Sequence, residues 1–95
     1  MTEIIEELYD VIEDRRDNPR ESSYTSSLLT HEKGENAVLE KIGEESTEVI
    51  LAAKDDRKEE VVNESADLIY HLLVLLASKD IQLEDLIQEL ENRRG

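Results

Sequence analysis

Apolar residues recur along this chain every three or four positions, and no stretch alternates apolar with polar over the length of a strand. The first run covers about Thr2 to Arg16, with Ile4, Ile5, Leu8, Val11 and Ile12 on one side and Thr2 where an N-cap belongs. The stretch DNPRESSYTSSLLT, Asp17 to Thr30, holds the only proline (Pro19) and a Ser/Thr cluster, which predicts a loop. A second helix is expected from near Asn36 to about Lys54, its stripe formed by Val38, Leu39, Ile42, Val49, Ile50 and Ala53. Asp55 and Asp56 supply a turn. A third helix, about Arg57 to Ser78, is the most apolar. Lys79 and Asp80 break it, and a short fourth helix carries Leu83, Leu86, Ile87 and Leu90.

These elements predict an all-α bundle of four to five helices forming a single domain over residues 1–95. The short link between the second and third helices makes them antiparallel neighbours. The apolar arc of the third helix, from Val61 through Leu68 and Leu72 to Leu73 and Ala66, is too broad for one exposed helix. It belongs at the centre of the bundle or against a second subunit. A chain this short buries a modest share of its surface, so a homodimer is expected.

Composition narrows the partners. With 25 acidic and 11 basic residues the formal net charge is −14, which repels nucleic acid and anionic membranes. Neither is expected to bind. The chain has no cysteine, so it has no disulfide scaffold and no thiolate zinc site, and a reducing compartment suits it. The apolar run Leu68–Ala77 contains Tyr70 and His71 and is too short to span a bilayer. The opening MTEIIEEL lacks the positive start and long apolar stretch of a signal peptide. A cytoplasmic protein is the expectation.

Particular carboxylates matter more than their number. At about 100° per residue, Glu45 and Glu48 lie on one flank of the second helix, with Glu45 at the edge of the stripe where Leu or Val would be usual. In the third helix Glu64, Asp67 and His71 form one row, and Glu64 interrupts the apolar pattern as Glu45 does. Two antiparallel helices with such pairs can converge four carboxylates on one cleft. Like charges a few ångströms apart raise one another's pKa values or push the helices apart unless a cation offsets them. An all-oxygen set favours Mg²⁺, with Mn²⁺ as substitute, over zinc. Gly43, inside the helix at a cost of about 1 kcal/mol relative to alanine, suggests either a close helix approach near the cleft or a glycine that is merely tolerated.

The same residues carry a family resemblance. GEESTE at Gly43–Glu48 and ESAD at Glu64–Asp67 resemble the EExxE…ExxD signature of the all-α, MazG-like nucleoside triphosphate pyrophosphatases. SYTSSL from Ser23, KIGEE from Lys41, AAK from Ala52 and ADLIYHLLVLL from Ala66 resemble, more narrowly, the phosphoribosyl-ATP pyrophosphatase family of histidine biosynthesis. The likeness runs from about Leu8 to Arg93. It implies Mg²⁺-dependent hydrolysis of 1-(5-phosphoribosyl)-ATP to 1-(5-phosphoribosyl)-AMP and pyrophosphate. It also implies metal ligands at Glu45, Glu48, Glu64 and Asp67, with Glu44 nearby as a ligand or water-orienting base beside Glu45. Relatives fused to a zinc-dependent cyclohydrolase use cysteines, so this chain is expected to be a stand-alone pyrophosphatase.

Such a site needs local cations. Lys41 lies one turn before Glu45, Lys54 ends the second helix, and Arg15, Arg16 and Arg20 cluster before the Ser/Thr loop. Lys41, Lys54 and Arg15 are therefore candidate phosphate contacts, and Ser23, Tyr24 and Thr25 offer hydroxyls to ribose phosphate or base. His71 is expected to support Asp67 rather than to ligate, and Tyr70 to pack. Two alternatives share these residues: a house-cleaning nucleotide pyrophosphatase with a looser base pocket, and a non-catalytic helical module whose acidic rows are solvated.

Overall fold

The computed structural model describes residues 2–94, Thr2 by its backbone alone. The described residues form five helices and no strand: α1 Thr2–Asp17, α2 Tyr24–Leu29, α3 Glu35–Lys54, α4 Lys58–Ser78 and α5 Leu83–Arg93. The all-α expectation holds. Thr2 falls inside the first turn of α1, and its side chain lies outside the described residues, as does its expected capping role. The predicted loop Asp17–Thr30 needs correction, because its second half coils into α2. Ser23 starts that helix by accepting a hydrogen bond from the Ser26 amide, and the Thr30 amide closes it on the Ser26 and Leu28 carbonyls.

The helix α3 begins at Gly34, whose φ of +61° is accessible to glycine at little cost. Its end is a Schellman turn. Asp56 adopts φ +53°, its amide meets the Ala53 carbonyl, and the Arg57 amide meets the Ala52 carbonyl, each at 3.1 Å. The α4 terminus repeats the device with Asp80 at φ +57°, while the Ile81 amide reaches the Leu76 carbonyl at 2.9 Å. The first of these turns folds α3 and α4 into an antiparallel hairpin.

The core lies among α1, α2, the first turn of α3, the C-terminal half of α4 and the start of α5. Tyr9, Ile12, Leu28, Ala37, Val38, Leu73, Val74, Ala77 and Leu83 are its buried side chains, with Leu86 and Ile87 of α5 packed against it. Two contacts pin α1 to the end of α4: the Tyr9 hydroxyl donates to the Ile81 carbonyl, and Arg16 Nη1 donates to the Ala77 carbonyl at 2.8 Å. The apolar stripes are narrower than their sequence pattern. Ile4 and Val11 of α1 and Leu39, Ile50 and Ala53 of α3 are exposed, as are Val62, Ile69 and Leu72 of α4. The helix α4 is long and apolar enough to cross a membrane by length and composition, but it is the central helix of this bundle and carries the acidic row.

Candidate metal centre

The α3–α4 hairpin brings Glu45 level with Glu64 and Asp67, and one carboxylate oxygen from each lies within 4.8 Å of the other two. Octahedral Mg²⁺ at 2.0–2.1 Å sets neighbouring ligands about 2.9 Å and opposite ones about 4.2 Å apart, so the set would have to draw in around a single ion. The Glu45 side chain is largely enclosed, 12 % exposed on the edge of α3 that faces the cleft. The three acids border an open cleft of about 640 Å³, lined also by Gly43, Glu44, Thr47 and Glu48. Oxygen donors without thiol or imidazole suit a hard divalent cation.

The electrostatics identify Glu64 as the pressure point. Its carboxyl is pushed above the ordinary carboxylate range, first by hydrogen bonding with Glu45, then by desolvation, then by the charges of Glu45, Asp67 and Glu48. Glu48 therefore acts on the cluster, yet its carboxylate stands outside the close group of three. The expected four-carboxylate set is met by three convergent acids with Glu48 on the same wall. Glu44 is exposed and paired with Lys41, whose Nζ is 3.2 Å from Glu44 and 3.7 Å from Glu45. That hydrogen bond to Glu44 holds the Lys41 ammonium above its ordinary pKa, against the opposing effect of burial. Among the described residues, Lys41 is the cation paired with acids of the cleft.

The other candidate residues are spread around it. Tyr24 is half-exposed, and its hydroxyl lies 2.9 Å from Nε2 of the buried His71. His71 Nδ1 lies 2.7 Å from the Asp67 carbonyl. A carbonyl can only accept, so Nδ1 carries the proton, and in the neutral ring Nε2 accepts from Tyr24. His71 thus supports the Asp67 turn, as its position in the row predicts. Ser23 Oγ is engaged in the α2 cap, and Thr25 is buried with its hydroxyl bonded to Tyr70. Lys54 lies exposed at the far end of α3, about 13 Å along the axis from Glu45. Arg15 pairs with Asp14 at 2.6 Å on α1.

Two features were not read correctly from the sequence. Apart from the backbone of its own helix turns and its two chain neighbours, no atom comes within 4 Å of a Cβ placed on Gly43, so the close approach of another helix expected there is not made among the described residues; the position opens into the cleft. Thr47, one turn on, also lines the cleft and turns its hydroxyl back to the Gly43 carbonyl. Its position after Gly43 was the only signal for it.

An all-helical bundle whose antiparallel central pair converges acids on an open cleft has the architecture of the all-α pyrophosphohydrolases, and comparison with known proteins agrees. The profile of the family described as Phosphoribosyl-ATP pyrophosphohydrolase matches residues 5–94. A phosphoribosyl-ATP pyrophosphatase of Haloarcula marismortui is 64 % identical over 97 % of this chain and 94 % of its own. Proteins of the same name from Methanocella arvoryzae and Clostridium acetobutylicum are 55 % and 57 % identical, over 99 % and 96 % of this chain and 99 % and 81 % of theirs. The chain belongs to the phosphoribosyl-ATP pyrophosphatase family, and it is a hydrolase.

Proposed function

We propose that this enzyme hydrolyses 1-(5-phosphoribosyl)-ATP to 1-(5-phosphoribosyl)-AMP and pyrophosphate in histidine biosynthesis, with Mg²⁺ as its cofactor and Mn²⁺ as substitute. The observation that carries the reading is the convergence of Glu45, Glu64 and Asp67 on one cleft. Glu45, Glu64 and Asp67 would hold the ion, with Glu48 on the same wall of the cleft. Mg²⁺ bound there supplies charge neutralisation and Lewis-acid contact with phosphate oxygens. Such neutralisation would let a protein of net charge −14 take up a polyanion.

The remaining work falls to the chain's own groups. Lys41 offsets charge on the phosphates from the α3 side. Glu44, exposed at the cleft and paired with Lys41, would accept a proton from the attacking water. Tyr24, Lys54 and Arg15 are the proposed substrate contacts at the periphery, while Ser23 and Thr25, whose hydroxyls are engaged in the α2 cap and with Tyr70, hold the wall that carries Tyr24. The enzyme works in the cytoplasm as a homodimer, since Leu39, Ile50, Val62, Ile69 and Leu72 leave α3 and α4 with uncovered apolar surface.

Pyrophosphate release tests the assignment, measured on phosphoribosyl-ATP and on ordinary deoxynucleoside triphosphates, with Mg²⁺ and with chelator. Strong preference for phosphoribosyl-ATP and complete dependence on Mg²⁺ are expected. Comparable rates on the triphosphates would replace the histidine-pathway substrate with a general nucleotide pool, and release undiminished by chelator would remove the ion.

A further inference from the structure

Three rings from two helices meet beside the acidic cleft. Tyr24 of α2 runs near-parallel to Tyr70 of α4, with centroids 6.4 Å apart and planes at 29°. His71 meets both edge-on, at 5.8 Å from Tyr24 and 5.3 Å from Tyr70. Tyr70 is bonded to the Thr25 hydroxyl, and His71, 4 % exposed, is committed at both nitrogens. The block is therefore fixed to the Asp67 turn that carries a metal-site carboxylate. Within it Tyr24 alone remains 49 % exposed. Its hydroxyl is taken by His71 and one face by Tyr70, so the free face is what it can offer a ligand. Tyr24 also lies near enough to Lys41, Glu45, Glu44 and Asp67 for their charges to act on its phenol.

We propose that the free face of Tyr24, with the ring anchored through its hydroxyl to His71, is the wall on which the adenine base of the nucleotide stacks. The inference rests on the nucleotide reading above and deepens it. The acids and Lys41 serve phosphate, and they leave the flat, uncharged end of the substrate without a contact. An aromatic face answers that need, since bases stack on it through their own π surface. Pre-fixing the ring removes the cost of ordering it on binding. The sequence suggested a hydroxyl contact from Tyr24, but the hydroxyl is the anchor and the ring is the contact.

The test compares unaltered protein with Tyr24→Leu and Tyr24→Phe. Each is titrated calorimetrically, in Mg²⁺, with the non-hydrolysable α,β-methylene analogue of ATP and with inorganic pyrophosphate, which has no base. Turnover of phosphoribosyl-ATP is measured alongside. Tyr24→Leu should weaken the analogue and raise KM about tenfold or more, with pyrophosphate affinity and kcat near the unaltered values. Tyr24→Phe, which keeps the ring and loses the anchor, should fall between. Analogue affinity within twofold of the unaltered protein in Tyr24→Leu, or an equal loss for pyrophosphate, would overturn the inference. A readout on the unaltered protein does not depend on how the variants fold. The chain has no tryptophan, so tyrosine emission is visible; the analogue should quench it and pyrophosphate should not, and absent quenching by a bound analogue overturns the stacking. Analogue bound without turnover of phosphoribosyl-ATP would sink the substrate assignment alone, leaving the Tyr24 comparison decisive.

Discussion

Glu64 sits where a leucine would pack, shares hydrogen bonding with Glu45, and feels Asp67 and Glu48 as well. Relative to the unfolded chain, the metal-free fold favours its protonated form. The sign of the linkage follows: a raised folded pKa stabilises the fold below the ordinary carboxylate value, and that contribution is lost as pH rises through the raised value. Around neutrality the cleft is therefore a burden until a cation arrives. Glu64→Gln should raise the melting temperature of the metal-free protein, abolish its further rise with Mg²⁺, and lower kcat about 100-fold or more, since even groups behind metal ligands cost 10- to 100-fold. Unaltered protein at an Mg²⁺ concentration about 100 times Kd should gain roughly 2.7 kcal/mol. A variant that keeps both the Mg²⁺ response and turnover would exclude Glu64 from the ion. Glu45 and Glu64 were legible in the sequence because a carboxylate inside an apolar stripe is conspicuous. The separation of Glu48 from the close group was not, because helical period fixes a row but not which members of it meet across the hairpin.

Among the elements, the long helices were legible to within a residue or two, because their periodicity is sustained over several turns. The six-residue α2 was not. It is shorter than the window over which a period can be recognised, and its Ser/Thr content is that of a turn until the Ser23 cap is seen. The Tyr24–His71 bond was hidden for another reason, since nothing local links residues so far apart in sequence. The α3–α4 turn is a simpler case. Asp56 holds a left-handed conformation that glycine adopts more readily, and it places a negative charge at the negative end of α3. Asp56→Gly should stabilise the protein by about 0.5–1 kcal/mol, read as a higher urea midpoint with an unchanged m value. A lower midpoint would mean that the aspartate makes a compensating contact.

As a whole the molecule is more open than a self-sufficient globule. Its radius of gyration is 14.2 Å, against about 12.4 Å for a compact chain of this length. The excess accompanies the uncovered apolar residues of α3 and α4. The hairpin register sets Ile50 level with Val62 and Leu39 level with Leu72. By helical period, these stripes lie on the side of the pair away from the acids. Two copies of charge −14 repel, so their association should tighten as salt screens them. Light scattering is expected to give a dimer whose dissociation constant falls with added salt, and Ile69→Glu should give a monomer. A dimer unchanged by Ile69→Glu would move the interface elsewhere.

The close acids come from a single hairpin, between Glu45 and Asp67, closed by its own Schellman turn. No residue from α1, α2 or α5 interrupts that stretch, so sequence can be added beyond either end of the chain without entering the unit that bears the charge. The Clostridium acetobutylicum relative has length outside the shared region while keeping its identity within it. In this sense the hairpin is portable: the acids travel together, and the helices around them can be rebuilt as long as they still brace its outer surface.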